Sequence, residues 1–221
     1  MLNADGATLV GGHTTEGPEL AFGLSVHGYV APEKLLRKSG MKPGDKLILT
    51  KPIGTGVIFA GEMQGASRGH WVEDAVESML RSNKPALHVF QHYGVAACTD
   101  VTGFGIVAHL GEMTEAAKRD VELDLDAIPI LEGAASLSAG NVRSTLYPEN
   151  IRHARILVRR PEDHPSYELL FDPQTSGGLI AAIPADLAEQ CVEELHAAGY
   201  AHAAVIGQAT EGSEGNVVLK D

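Results

Sequence analysis

The chain has 221 residues, of which 44% are hydrophobic and 21% charged, so it is long enough for one large domain and too apolar to be disordered. Its net charge of −12 disfavours bulk electrostatic binding to nucleic acid or to an anionic membrane, and we expect neither partner. No apolar run approaches the roughly 18 residues of a membrane-spanning helix, and no signal peptide is evident, which predicts a cytoplasmic location.

The pattern of residues 1–31 predicts strands that are too few to form a stable sheet by themselves. Residues 7–10 are apolar, residues 11–19 form a loop rich in glycine, and residues 20–30 place apolar side chains at alternate positions. Because two strands are not stable alone, we expect them to pair with another chain or to be poorly ordered.

Residues 32–221 alternate helical and strand patterns, which predicts an α/β (α+β) fold with a mixed β-sheet and packed helices. The predicted helices lie near residues 57–60, 71–81, 84–93, 104–118, 130–139 and 184–198. The predicted strands lie near residues 46–50, 96–100, 121–125, 179–183, 203–206 and 217–219. Residues 140–163 are predicted to be irregular, and no internal repeat is present.

The stretch from Ala96 to Gly105 is the strongest local signal for a site. An apolar run leads into Asp100, which lies between two threonines, and two glycines then open a helical pattern. An aspartate beside such a loop suits Mg²⁺, which takes oxygen ligands and bridges to phosphates. The same residues also suit an ordinary turn or helix cap, and the local sequence leaves both readings open.

Other candidate sites carry weaker signals. Neither a Walker A nor a Rossmann glycine pattern occurs, and Ser176 lies outside the GxSxG context of a serine hydrolase. His88 and His92 have helical spacing, which suits either one metal ion or two exposed side chains. The arginines of residues 143–160 suit either phosphate or a solvated loop, and His13 suits either a turn or a ligand contact.

The two cysteines, Cys98 and Cys191, lie far apart and form no CxxC pattern. This spacing argues against a disulfide scaffold and against a zinc site that is evident from sequence. We expect both to be buried thiols of a reducing compartment.

Four segments together resemble one family. They are LVGGHTTEGPELAFGLSVHG at residues 9–28, KPIGTG at residues 51–56, CTDVTGFG at residues 98–105 and LFDPQTSGGLI at residues 170–180. In this order they resemble selenophosphate synthetase, also called selenide, water dikinase. The wider superfamily includes aminoimidazole ribonucleotide synthetase, and the resemblance implies the fold of that superfamily's C-terminal domain.

The resemblance implies an activity and a set of site residues. The family converts ATP, selenide and water to selenophosphate, AMP and phosphate with Mg²⁺, and its members have two domains and form dimers. Asp100 matches the family's metal-binding aspartate, and Gly11, Gly12 and His13 match its ATP-contacting segment. The implied ligands of the parent enzyme are therefore ATP, selenide and Mg²⁺, and the implied assembly is a homodimer.

The resemblance is incomplete at the N-terminus. The family's N-terminal part carries a reactive cysteine or selenocysteine, a catalytic lysine and further metal-binding aspartates, and no such motif occurs here. We therefore assign no catalytic residue in this chain. Residues 1–31 resemble the last strands of a truncated ATP-binding domain and residues 32–221 the C-terminal synthetase domain. The alternatives are another ATP-using member of the superfamily and a non-catalytic dimerisation or binding domain.

Overall fold

The computed structural model describes residues 2–95, 97–159, 161 and 163–220. Its internal contacts define two compact units, Met1–Leu35 and Leu36–Asp221. None of the described helices combines the length and the apolar composition needed to cross a membrane.

The described part of the first unit contains no β-strand. Its regular structure is a short 3-10 turn at Pro32–Lys34, and apolar side chains such as Phe22 and Val26 are exposed. Residues 7–10 and 20–30 thus form no strand in this chain by itself, and their role as strands of an N-terminal domain stays a prediction. Alternating apolar residues favour an extended backbone, but a strand also needs a hydrogen-bonded neighbour, and the described residues supply none for this segment. Their pairing with another chain remains a prediction.

The second unit contains strands and helices in alternation. The strands are β1 (Lys46–Leu49), β2 (Ala97–Asp100), β3 (Val121–Asp124), β4 (Leu157–Arg159), β5 (Leu179–Ile183), β6 (Ala204–Ala209) and β7 (Val217–Lys220). The helices are α1 (Thr55–Met63), α2 (Gly69–Leu80), α3 (Lys84–His92), α4 (Gly105–Ala117), α5 (Ala134–Ala139), α6 (Tyr147–Asn150) and α7 (Ala188–Ala197). Short 3-10 turns lie at Ile151–Ile156, Glu168–Phe171 and Ala185–Leu187.

The strands form one mixed sheet in the order β2-β5-β1-β6-β3-β7-β4. The pairs of β7 with β3 and β4 are parallel, and the other pairs are antiparallel. The predicted mixed sheet is confirmed. Residues 140–163, predicted to be irregular, instead contribute α6, a 3-10 turn and edge strand β4. Only three residues long, β4 has too few positions to show a period of two and owes its geometry to its partner β7.

Helices cover both faces of the central strands. Leu47 and Leu49 of β1 point into a core shared with α1, α2, α4 and α5, whereas Ile48 points into a second core shared with α3 and α7. Both predicted thiols are confirmed as buried and free, and both belong to the second core. Burial raises the pKa of Cys98 and of Cys191 to about 12, so both remain protonated.

Candidate functional site

Asp100 is the last residue of β2, the strand at one edge of the sheet. Its side chain is exposed, while the flanking Thr99 and Val101 are buried and fix the direction of the backbone. The Asp100 carboxylate makes no hydrogen bond or ion pair with any residue in the described part of the chain. A carboxylate at a fixed position with no protein partner is available to a ligand.

Two hydrogen bonds hold the backbone immediately after Asp100. The Val101 N–H donates to the Gly178 carbonyl at 2.9 Å, which continues the β2–β5 ladder. The Thr102 N–H donates to Nε2 of His109 at 3.1 Å, one helical turn into α4. The loop is therefore fixed both by the sheet and by the helix that follows it.

Further along the same loop, the backbone of Gly103 is held by a residue from a later part of the chain. Nδ2 of Asn150, a buried residue, donates to the carbonyls of Gly103 at 2.8 Å and of Phe171 at 3.0 Å. Gly105 starts α4 with φ of +76°, and an added Cβ would lie 2.8 Å from the Leu170 carbonyl oxygen. Both the left-handed backbone and the close contact require glycine here.

His109 is a buried neutral imidazole. Because Nε2 accepts the Thr102 N–H, the proton is on Nδ1, which lies 3.5 Å from Oε2 of Glu112 without the alignment of a hydrogen bond. Glu112 in turn pairs with Lys38 at 2.5 Å. Burial lowers the pKa of His109, which favours the neutral form that the Thr102 contact needs.

The glycine loop at residues 172–178 packs against two other loops. Oε1 of Gln174 accepts hydrogen bonds from the Gly54 and Thr55 N–H groups at 2.9 and 3.2 Å and lies 3.2 Å from the Thr55 hydroxyl. The Gln174 N–H donates to the Thr102 carbonyl at 3.0 Å. Gly177 approaches Val101 so closely that a Cβ added to Gly177 would lie 2.3 Å from the Val101 carbonyl oxygen. This loop thus joins the start of α1 to the Asp100 loop.

Asp172 belongs to the scaffold. It is 3% exposed, and Nε2 of Gln174 donates to its carboxylate at 3.1 Å. Burial raises the pKa of Asp172 to about 7, and hydrogen bonds from the Val57 and Gly56 backbone and from Gln174 oppose that rise. Asp172 and Gln174 together satisfy N–H groups at the start of α1, so protein groups already occupy that helix terminus.

A magnesium ion fits Asp100 only as one ligand among several. Among the described residues, no group of three or more His, Cys, Asp or Glu side chains could hold a metal ion. One free carboxylate suits Mg²⁺, which commonly takes one or two carboxylates and completes its octahedron with phosphates and water. Asp100 therefore suits a metal that arrives with a polyphosphate and does not form a metal site within this chain.

The predicted ATP-contacting residues Gly11, Gly12 and His13 belong to the first unit, whereas Asp100 belongs to the second. All three are exposed, and a Cβ added at either glycine would meet no atom within 4 Å. Nothing within that unit requires glycine at these positions.

The weaker candidates have ordinary surroundings. His88 and His92 are both exposed on α3. Arg143 donates to the Ser138 and Val142 carbonyls, so it is part of the packing. The Ser176 hydroxyl donates to the carbonyl of Met79 at 2.9 Å.

The sheet and its loops match a known domain. The family model described as "AIR synthase related protein, C-terminal domain" matches residues 42–220. The chain belongs to this family. The AIR synthase-related chain is 38% identical over 205 residues to the selenide, water dikinase of Clostridioides difficile, covering 91% of this chain and 59% of that protein. It is 39% identical over 224 residues to that of Caldanaerobacter subterraneus, covering 97% and 63%.

The fold of the AIR synthase-related chain is also found among solved structures. Escherichia coli HypE, a hydrogenase maturation protein, aligns with a TM-score of 0.64 at 20% identity, covering 85% of this chain and 49% of HypE. At this identity the likeness shows the fold alone. The chain spans only about 60% of the length of the curated relatives named above.

The sequence analysis missed several residues that hold the Asp100 loop and the loop at residues 172–178. It noted the glycine loops but not the side chains that hold them, namely His109, Asn150, Asp172 and Gln174. His109 could have been found from its place one turn into the helix after the loop. Asn150 and Gln174 form hydrogen bonds to residues that lie more than 20 positions away in the sequence, and no local pattern predicts such contacts.

Proposed function

We propose that this chain is the C-terminal part of an ATP-dependent selenide, water dikinase. The reaction would convert ATP, selenide and water to selenophosphate, AMP and phosphate. The observation that carries the proposal is the exposed carboxylate of Asp100, which has no partner among the described residues and lies on a firmly held loop. It is supported by 38–39% identity to two selenide, water dikinases over most of the chain.

In this proposal Asp100 holds Mg²⁺ against the phosphates of ATP. The metal would supply charge neutralisation on the phosphate oxygens, which is the main requirement of phosphoryl transfer. The contribution of the chain is positional. His109 and Asn150 fix the backbone on both sides of Thr102 and Gly103, so the carboxylate keeps its place while the ligand binds.

The remaining parts of the proposed enzyme lie outside the second unit. Gly11, Gly12 and His13 would contact ATP as part of an ATP-binding domain to which residues 1–31 belong, with residues 32–221 as the C-terminal domain. The nucleophile and further metal ligands would come from the part of the relatives that this chain does not span. The complete enzyme would be a cytoplasmic homodimer, and this chain alone would be inactive.

A non-catalytic binding role for the isolated chain is the second candidate. The absence of a three-ligand metal cluster among the described residues favours it for this chain alone. A related ATP-using enzyme with another phosphoryl acceptor is also consistent with the fold, which is shared with a HypE protein whose structure was solved in complex with ATP.

The test is AMP formation by the complete protein that contains this chain. ATP and Mg²⁺ are incubated with selenide, with sulfide or with neither, and AMP and selenophosphate are followed by ³¹P NMR. We expect selenide-dependent AMP and a selenophosphate signal. AMP formation that does not depend on selenide would support a related enzyme instead, and absence of AMP in all arms would support the non-catalytic role.

A further inference from the structure

Lys51 is a buried ammonium group that has no counter-ion among the described residues. It follows β1 at the start of the loop at residues 51–56 and is 2% exposed. Its Nζ donates to the carbonyls of Arg81 at 2.5 Å and of Ser176 at 3.1 Å. Within the described ranges, no carboxylate lies within ion-pair distance of it.

A buried ammonium group normally has an anionic partner. Removing a charge from water costs free energy unless an opposite charge compensates for it. Burial and the nearby charge of Arg81 lower the pKa of Lys51 to about 8, so the amine is still mainly protonated at neutral pH. Two carbonyl dipoles compensate part of the charge. An ammonium has three donors, and one of them has no partner in the described structure.

Lys51 and Arg81 line the same cavity, which has a volume of about 350 Å³. Three carboxylates also line it, but two of them have other partners. Glu77 pairs with Arg81 at 3.4 Å, and Glu132 accepts a hydrogen bond from Nε1 of Trp71 at 3.3 Å. The third, Asp74, makes no hydrogen bond or ion pair with the described residues. As far as the described residues show, the cavity therefore contains a cationic group without a counter-ion, Lys51, beside Arg81, and one free carboxylate, that of Asp74.

We propose that Lys51 and Arg81 form an oxyanion-binding subsite in this cavity, for the phosphate or carboxylate group of a small ligand. The anion would accept one hydrogen bond from the free N–H of Lys51 and another from an N–H of the Arg81 guanidinium. Charge-assisted bonds of this kind are short and strong, especially where water is partly excluded. The free Asp74 carboxylate in the same cavity suits a ligand that also carries an amine. The subsite does not involve Asp100, so its failure would leave the proposed function unaffected.

Calorimetry and thermal unfolding of the intact chain test the subsite. Inorganic phosphate, acetate and glycine are titrated separately at pH 7 and constant ionic strength. We expect saturable binding of at least one anion, accompanied by a rise in Tm. Tighter binding of glycine than of acetate would identify a zwitterionic ligand, and preference for phosphate would identify a phosphorylated one.

Lys51→Met removes the charge and keeps most of the side-chain volume. We expect it to weaken anion binding by about tenfold or more. Lys46→Met is the matched control, because Lys46 lies on β1 and its Nζ bonds to the Gln208 amide oxygen outside this cavity. The control should bind as the unmodified chain does. Equal binding by the Lys51 and Lys46 variants, or no saturable binding by the unmodified chain, would overturn the proposal.

A second pair of variants tests the subsite if Lys51→Met fails to fold. Arg81→Gln should weaken binding, whereas Arg119→Gln, outside the cavity, should not. Binding by the unmodified chain should also weaken as the pH rises above about 8, where Lys51 loses its proton. Binding that is unchanged in Arg81→Gln and constant across this pH range would exclude the subsite.

Discussion

Two glycine-containing loops of this chain each begin with an aspartate, and the fold uses them differently. Asp100 ends the edge strand β2 and has an exposed carboxylate without a partner in the described residues. Asp172 is buried beneath the start of α1 and is hydrogen-bonded to Gln174. The first loop can serve a ligand, and the second serves the scaffold that holds it.

The difference comes from the neighbours of each loop. At the sheet edge β2 has one neighbouring strand, and nothing in the described chain covers the Asp100 side chain. The start of α1 presents N–H groups that need acceptors, and Asp172 and Gln174 supply them. Similar local compositions can therefore produce a binding group in one place and a helix cap in another.

The largest effect should follow from Asp100→Asn in the complete protein. Loss of the charge should lower selenide-dependent AMP formation by about 100-fold or more, because a metal ligand would be weakened. The melting temperature should hardly change, since an exposed substitution usually alters stability by no more than about 0.5 kcal/mol. Asp186→Asn, an exposed aspartate on the turn before α7, is the control for activity. Near-normal AMP formation together with a clearly lower melting temperature would show that Asp100 is a turn residue.

Gln174→Ala should show the opposite behaviour and mainly affect stability. Its loss leaves the buried N–H groups of Gly54 and Thr55 without their acceptor. We expect the free energy of unfolding to fall by about 2–3 kcal/mol, measured by urea denaturation. Gln64→Ala changes an exposed glutamine after α1 and should have little effect. Equal stability of the two variants would show that Gln174 is not a structural cap.

Asp172 should make stability depend on pH in the acidic range. Its pKa is about 7 in the folded state against 3.8 as the usual value, so between these values the folded state retains a proton that the unfolded state has lost. The free energy of unfolding should therefore fall as the pH rises from about 4 to 7, by up to about 1.4 kcal/mol per pH unit. The Asp172→Asn variant lacks the titrating carboxyl group, so its free energy of unfolding should fall less between about pH 4 and 7. Parallel pH profiles for the two proteins would contradict the prediction.

The smallest signal is expected when Mg-ATP is added to this chain alone. Asp100 offers one carboxylate, and a single carboxylate rarely holds Mg²⁺ tightly without other ligands. We expect weak or undetectable heat in a calorimetric titration. Micromolar affinity would show that the described residues already contain a complete nucleotide site.

Much of the fold could be predicted because its signals are local. The sequence predicts a strand at residues 179–183, and β5 has these bounds. The helical period at residues 71–81 and 104–118 likewise predicted α2 and α4 to within two residues at each end. The mixed sheet followed from the alternation of such elements. Edge strand β4 did not, because a three-residue strand shows no period and depends on its partner.

The sequence by itself determined the family, the mixed sheet and the candidate Asp100, because apolar periodicity and short motifs are properties of neighbouring residues. Tertiary structure decided which polar groups are free. His109, Asn150 and Gln174 became the supports of the loops only when folding brought them to backbone groups from other parts of the chain. It also left Lys51 buried beside Arg81, with no counter-ion in the described part of the chain. Burial and hydrogen-bond satisfaction depend on which distant segments meet, and one-dimensional spacing does not contain that information.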